Sequence, residues 1–313
     1  MFYIDGHCDT LSKALDEGKD LYQNNLQFSI EEANKLGGGI QTMAAFVDTE
    51  YLVSEMSGFD RCSAILGKFW KFQNSNSNIL IRNKIDVQNA EREHDTKVLL
   101  SIENGAAISG NLSNVDYFYE NGVRMMSITW NHDNELGCGA KTKNDVGLSM
   151  LGCGFVERLN NLGVVIDVSH SSEKTFWDVI SMSDKPVVAS HSNVFELCNN
   201  NRNLKDAQIK AIAKSGGIIG ICFYGEFLKS EGNANVADIV EHIKYIKKLV
   251  GVEYVGLGSD FDGMNVNETA KGVENITKLD NIITELKLQC FSDDEIVKIM
   301  WNNWSCVLKR ILR

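Results

Sequence analysis

Eight short apolar runs, rich in β-branched residues, recur along the chain with helix-like stretches between them, and no other feature restricts the fold as much. The runs are Phe2 to Asp9, Gly39 to Asp48, Lys97 to Gly105, Gly122 to Trp130, Gly163 to His170, Pro186 to Ser192, Gly216 to Tyr224 and Tyr254 to Gly263. Between them, segments such as Leu148 to Leu162, Ala207 to Ser215 and Val236 to Val250 carry apolar residues at helical spacing. An eightfold β-α alternation over this length predicts an α/β fold, the (β/α)8 barrel. A doubly wound sheet would need a glycine-rich phosphate loop after an early strand, and the first run is followed instead by Thr10-Leu-Ser-Lys13. Beyond the last run, Val273 to Arg313 reads as a C-terminal helical extension, with Ser292-Asp-Asp-Glu295 as a capping box opening its final helix. The polar segment Gln73 to Asn78 is short enough for a loop, and Pro186 is the only proline. Residues 1–313 therefore read as a single barrel domain.

A formal charge of −11 argues against nucleic acid or an anionic membrane surface as the main partner, and a substrate anion would need a local cation. No apolar run approaches the ~18 to 20 residues that cross a bilayer. The chain enters a core strand at once, without a basic start and an apolar stretch, so a cytoplasmic protein is expected. Eight scattered cysteines without a Cys-x-x-Cys pair fit a reduced compartment. The oligomeric state, including a homo-oligomer, stays open.

In such barrels the chemistry sits at the C-terminal ends of the strands. Here the first run ends in His7 and Asp9, the third in Glu103, the fifth in Asp167 to His170, the sixth in His191 and the eighth in Asp260 and Asp262. Each of these alone is as readily a helix cap or a paired polar group. Together, His7, Asp9, Glu103, His170 and His191 are too many ligands for one open catalytic zinc, which takes about three, and suit two metal ions sharing a carboxylate. Glu103 is the natural bridge. Cys8 should face away from its neighbours, His94 reads as solvated and His242 as structural, while His132 stays open. Strand alternation would put Asp260 and Asp262 on one side, with Asp262, before Gly263, as the turn residue.

Six stretches in order, Asp5-Gly-His7-Cys-Asp9, Ser101-Ile-Glu103-Asn-Gly105, Leu162 to His170, Ala189-Ser-His191-Ser-Asn193, Asn201-Arg202-Asn203-Leu and Gly256 to Gly263, resemble the membrane (renal) dipeptidase family over nearly the whole chain. The resemblance implies a zinc-dependent barrel hydrolase that cleaves dipeptides. One zinc would rest on His7, Asp9 and Glu103, the other on Glu103, His170 and His191. A hydroxide held between the two ions would attack the peptide carbonyl, with Asp260 as acid/base and Arg202 holding the substrate carboxylate. A planar guanidinium suits that task independently of the family. A D-residue at the second position stays open, and Tyr224 is a candidate for the pocket wall. One departure stands out: where the animal members place a histidine that supports the scissile carbonyl, this chain has Trp130, with His132 two residues on. No counterpart of their secretory leader and lipid-anchor tail is read in these residues, so a soluble protein is expected. Related barrel enzymes acting on lactams, cyclic amides or nucleobases usually begin with His-x-His rather than His-x-Asp. A non-catalytic binding barrel would be expected to lack at least one ligand, and all five are present.

Overall fold

The computed structural model describes residues 2–48, 56–73 and 79–313. Eight parallel strands form its centre: β1 (Tyr3–Cys8), β2 (Gly39–Phe46), β3 (Lys97–Glu103), β4 (Val123–Ser127), β5 (Val165–Asp167), β6 (Val187–Val188), β7 (Ile219–Ile221) and β8 (Val255–Leu257). They pair in the order β6-β5-β4-β3-β2-β1-β8-β7. A parallel bridge between Ala189 and Ile219 closes the seam, with Gly220 N donating to Ala189 O at 2.8 Å. This is the expected barrel. Of the polar segment read as a loop, Gln73 ends a helix, Gly58–Gln73, and 74–78 lie outside the described residues.

The connecting helices begin and end on local signals. Ser149 opens Met150–Leu162 by accepting a hydrogen bond from Gly152 N, and the helix stops where Gly163 turns left-handed at φ 75°. Helices such as Met150–Leu162 and Val236–Val250 bury an apolar stripe against the outer face of the barrel, where residues such as Cys8, Leu100, Met126 and Ile166 join the main core.

A second core fills the N-terminal end of the barrel interior. Ile4, Ile40, Leu99, Met125, Val165 and Val188 meet there, and Trp301, Trp304, Val307, Leu308 and Ile311 cover them from below. These covering residues come from the C-terminal extension. Helix Asp293–Val297, opened by the Ser292/Glu295 capping box, runs through a π-helical turn, Lys298–Asn302, into Asn303–Ile311. Trp304 donates its indole N–H to Leu257 O at 2.9 Å, and a Cβ on either Gly6 or Gly256 would collide with its ring. Two glycines thus make room for one tryptophan.

The ladders are shorter than the apolar runs. β4 stops at Ser127 rather than Trp130, and β8 at Leu257 rather than Gly263. Past the ends of β5 and β8 the chain bends over the barrel mouth, with φ of 68° at His170, 63° at Asp260 and 69° at Asp262. Strand alternation therefore does not govern Asp260 and Asp262, contrary to the sequence reading.

Candidate metal centre and substrate cleft

The ligand-type residues reach the mouth by small departures from regular strand geometry. Ile4 lies in the barrel interior and Gly6 faces Trp304, so strict alternation would turn His7 outward. A register shift between Asp5 and Cys8 re-aims the strand end. His7 turns inward to the carboxylates and Cys8 outward into the main core, as expected of it. Asp5 holds this bend in place: its carboxylate accepts from Ser259 N at 2.7 Å, Ser259 Oγ at 2.5 Å and Gln41 Nε2 at 3.0 Å, tying β1 to the end of β8. Asp167 does the same between β5 and β6, accepting from Ser169 N and Ser190 N at 2.9 Å and from Ser190 Oγ at 2.6 Å.

Five side chains converge there. His7 Nε2 stands 3.3 Å from Asp9 Oδ2 and 3.3 Å from Glu103 Oε2. Glu103 Oε1 stands 2.9 Å from His170 Nε2 and 3.7 Å from His191 Nε2. Glu103 thus gives one oxygen to each of two trios, His7, Asp9, Glu103 and Glu103, His170, His191. Two corners of a tetrahedron with bonds of ~2.0–2.1 Å lie about 3.3 Å apart, which is the scale of these separations.

The proton inventory also fits divalent cations. His170 Nδ1 pairs with Asn131 Oδ1 at 2.9 Å, which can only accept, so this nitrogen carries the proton. Ser190 gives its own proton to Asp167, so its Oγ accepts from His191 Nδ1 at 2.8 Å. Both imidazoles then direct bare Nε2 lone pairs at one another, 2.8 Å apart. Two lone pairs at that distance repel, and a shared cation is what reconciles them. Asp9 Oδ1 is buried with no hydrogen-bond partner among the described residues.

Electrostatics follow from the crowding. Burial, reinforced by the neighbouring Asp9 carboxylate, pushes Glu103 up to about 8. Burial pulls His7 down, but the Glu103 and Asp9 carboxylates outweigh it and hold the imidazole well above its ordinary value. His170 and His191 lie well below theirs, through burial and the nearby positive charges of Arg202 and His7, and so are neutral, the form that ligates. Asp260 is pushed up to about 7, chiefly by burial, against the pull of His7.

Above the trios opens a cavity of about 600 Å³, lined among others by Asp9, Glu103, Trp130, His170, Arg202, Tyr224 and Asp260. Arg202 is buried; one Nη2–H donates to His191 O at 3.2 Å, its Nε has no partner, and no carboxylate lies within ion-pair distance among the described residues. Trp130 packs edge-on to Phe46, with ring centroids 5.2 Å apart. His132 lies against Trp130 at 5.9 Å but is not among the residues lining the cavity, because β4 ends at Ser127 and no pleat carries alternation so far. Tyr224 stands at the rim, its phenol pushed up to about 12 by burial and by Glu226 and Glu268. Asp262 faces other partners: it accepts from Thr10 Oγ1 at 2.6 Å and from Gln27 N at 3.0 Å. His242 is structural, as expected, accepting from Val194 N and donating to Leu228 O, each at 3.0 Å. Sequence reasoning missed Asn131, Phe46 and Lys141, which also line the cavity. Only the position of Asn131 between Trp130 and His132 could have drawn notice.

An eight-stranded parallel barrel with a carboxylate shared between two ligand trios at its mouth defines a barrel metallohydrolase. The chain belongs to the membrane dipeptidase family, peptidase family M19, which it matches over residues 1–312, a family of peptide-bond hydrolases. It is 33% identical over 236 residues to a protein of Klebsiella pneumoniae encoded in the pqqA 5′ region, covering 72% of this chain and 86% of that one. It is 34% identical over 209 residues to the dipeptidase aclJ of Aspergillus oryzae, covering 66% of this chain and about half, 49%, of that longer relative. In fold it is similar to a metallopeptidase of Rhodobacter sphaeroides solved with a phosphinate mimic of the dipeptide L-Ala-D-Ala, with a TM-score of 0.89, 22% identity and 99% of each chain covered. No helix among the described residues is long and apolar enough to cross a membrane.

Proposed function

We propose that residues 1–313, acting as one barrel domain, hydrolyse the peptide bond of free dipeptides with two zinc ions held by His7, Asp9, Glu103, His170 and His191. The observation that carries this reading is Glu103, whose two oxygens serve two different trios beside a buried arginine that has no carboxylate partner among the described residues. Bound there, zinc would supply an acidified water as nucleophile and polarise the scissile carbonyl.

The chain's own residues do the rest. Asp260, with Oδ1 at 3.8 Å from His7 Nε2, receives the proton of the nucleophile and returns it to the leaving amine. A carboxylate at the mouth of the barrel, beside the proposed metal ligands, is suited to both transfers. Arg202 fixes the C-terminal carboxylate of the substrate, its Nε and remaining N–H groups offering the two-point fit that a carboxylate needs. Phe46, Trp130 and Phe227 line the cavity with apolar surface and keep water from the bond. The phenol of Tyr224 stays protonated at neutral pH and is a donor at the rim. The bound mimic of L-Ala-D-Ala in the Rhodobacter sphaeroides protein supports including a D-residue at the second position. All eight cysteines are free thiols, which supports action in the reducing cytoplasm.

The test is a zinc-reconstituted assay on L,L and L,D dipeptides, tripeptides, and dipeptides capped at either end. Cleavage confined to free dipeptides and abolished by chelation is expected. Equal turnover of tripeptides or amidated dipeptides, or turnover of lactams and cyclic amides in their place, overturns the reading.

A further inference from the structure

We infer that Cys222 is a positioning residue, its buried thiol orienting the Asp260 carboxylate toward the metal centre. The inference rests on the acid/base reading of Asp260 given above. Cys222 follows β7, and its Sγ lies 3.5 Å from Asp260 Oδ2, the only hydrogen-bond donor to that carboxylate among the described residues. The other oxygen, Oδ1, is the one that faces His7 Nε2 at 3.8 Å.

The thiol is itself held rigidly. Asn193, two residues past His191, accepts from Cys222 N at 3.0 Å and donates to Cys222 O at 3.1 Å. The sulfur therefore sits at a point fixed by the ends of β6 and β7, while Asp260 N is anchored to β1 by donating to His7 O at 3.1 Å. Gly263 leaves room for this carboxylate, since an added Cβ there would collide with Asp260 Oδ1 and Asp9 Oδ2. With Oδ2 held by the thiol, Oδ1 is the oxygen turned toward His7. A thiol is a weak donor, so it can direct Oδ2 without competing strongly for the proton that the carboxylate must pass on.

The test pairs kinetics with a readout that needs no metal. In the zinc-loaded enzyme, Cys222→Ala is expected to lower kcat about tenfold, the scale typical of a lost orienting partner, with KM within about twofold and zinc content unchanged. Cys222→Ser, which keeps a donor, should recover most of the loss. Combined with Asp260→Asn, Cys222→Ala should add nothing, because the group it orients is already disabled. In the metal-free protein, the S–H stretching band identified as that of Cys222 by its disappearance in Cys222→Ser should lie at lowered frequency and return to the free-thiol position in Asp260→Ala. Equal losses from Cys222→Ala with and without Asp260, a change in KM alone, or an S–H band indifferent to Asp260→Ala overturns the inference. A fully active Asp260→Asn with a band that still responds would instead overturn the acid/base reading and leave the contact standing.

Discussion

Non-glycine residues with left-handed backbone gather at the barrel mouth: of the six among the described residues, Asn104, His170, Asp260 and Asp262 all follow strand ends there. Such conformations cost stability and persist where the surroundings hold them: here Asn104 N donates to Ser127 Oγ, and Asp262 donates its N–H to Gln27 Oε1 while its carboxylate accepts from Gln27 N. The two aspartates divide the work. Asp260→Asn is expected to keep the fold and the metal while turnover falls roughly 10²- to 10⁴-fold, the range of a lost acid/base group. Asp262→Asn should leave turnover near its original value and cost about 1–3 kcal/mol, because an amide cannot accept from both Thr10 Oγ1 and Gln27 N with its two ends. Steady-state kinetics and denaturant unfolding of both variants decide, and the opposite pattern would exchange their roles. Arg202→Lys should impair free dipeptides and matter much less for C-terminally amidated ones, since an ammonium loses the two-point fit. Equal impairment of both would remove Arg202 from carboxylate binding. Glu103→Ala should lower the metal content of the reconstituted protein from two ions to one or fewer, because both trios lose an oxygen. Two ions retained would rule out the bridge.

At the scale of elements, His242 couples the helix Val236–Val250 to the segment after β6 and to the end of a short helix, Gly225–Leu228. Burial lowers its pKa, and a protonated ring would turn a donor toward Val194 N–H. An unfolded chain would take up that proton near ~6.5. The stability this residue contributes is therefore complete above about pH 6.5 and is lost as the pH falls toward the folded value. His242→Gln, whose amide can both accept and donate, should show a shallower fall in unfolding midpoint between about pH 7 and 5.5 than the parent protein; parallel curves would contradict the assignment. The strands themselves were legible because parallel strands buried on both faces read as nearly continuous apolar runs. Their limits were not. Trp130 and Gly263 extend apolar runs whose ladders stop at Ser127 and Leu257, because composition does not record where a chain gives up ladder hydrogen bonds to turn over the mouth. Likewise the sequence placed His7 and Asp9 together by simple alternation, whereas a register shift in β1 does it, and such a shift leaves no mark in a pattern of residue types. The partners of Asn131 and Asp167 were hidden for another reason: these two residues act on histidines distant in sequence, through Nδ1 of His170 and, by way of Ser190, of His191.

For the whole molecule, the covering of the barrel by Trp301, Trp304 and the helix Asn303–Ile311 matters as much as the strands. Trp304→Ala is expected to cost about 3–5 kcal/mol, since the indole fills space opened by Gly6 and Gly256 and satisfies Leu257 O. Chemical denaturation measures it, and a loss below about 1 kcal/mol would mean the site collapses around the smaller side chain. The active centre lies at the other end of the barrel, so any change in kcat should follow the fraction folded. The same arrangement sets an order of events at the ribosome. Every described strand and every proposed metal ligand emerges before residue 300, yet the floor of the barrel arrives only with Trp301 and the helix Asn303–Ile311. A nascent chain that already carries all eight strands still exposes an apolar interior at one end, and has to be shielded until that helix has emerged.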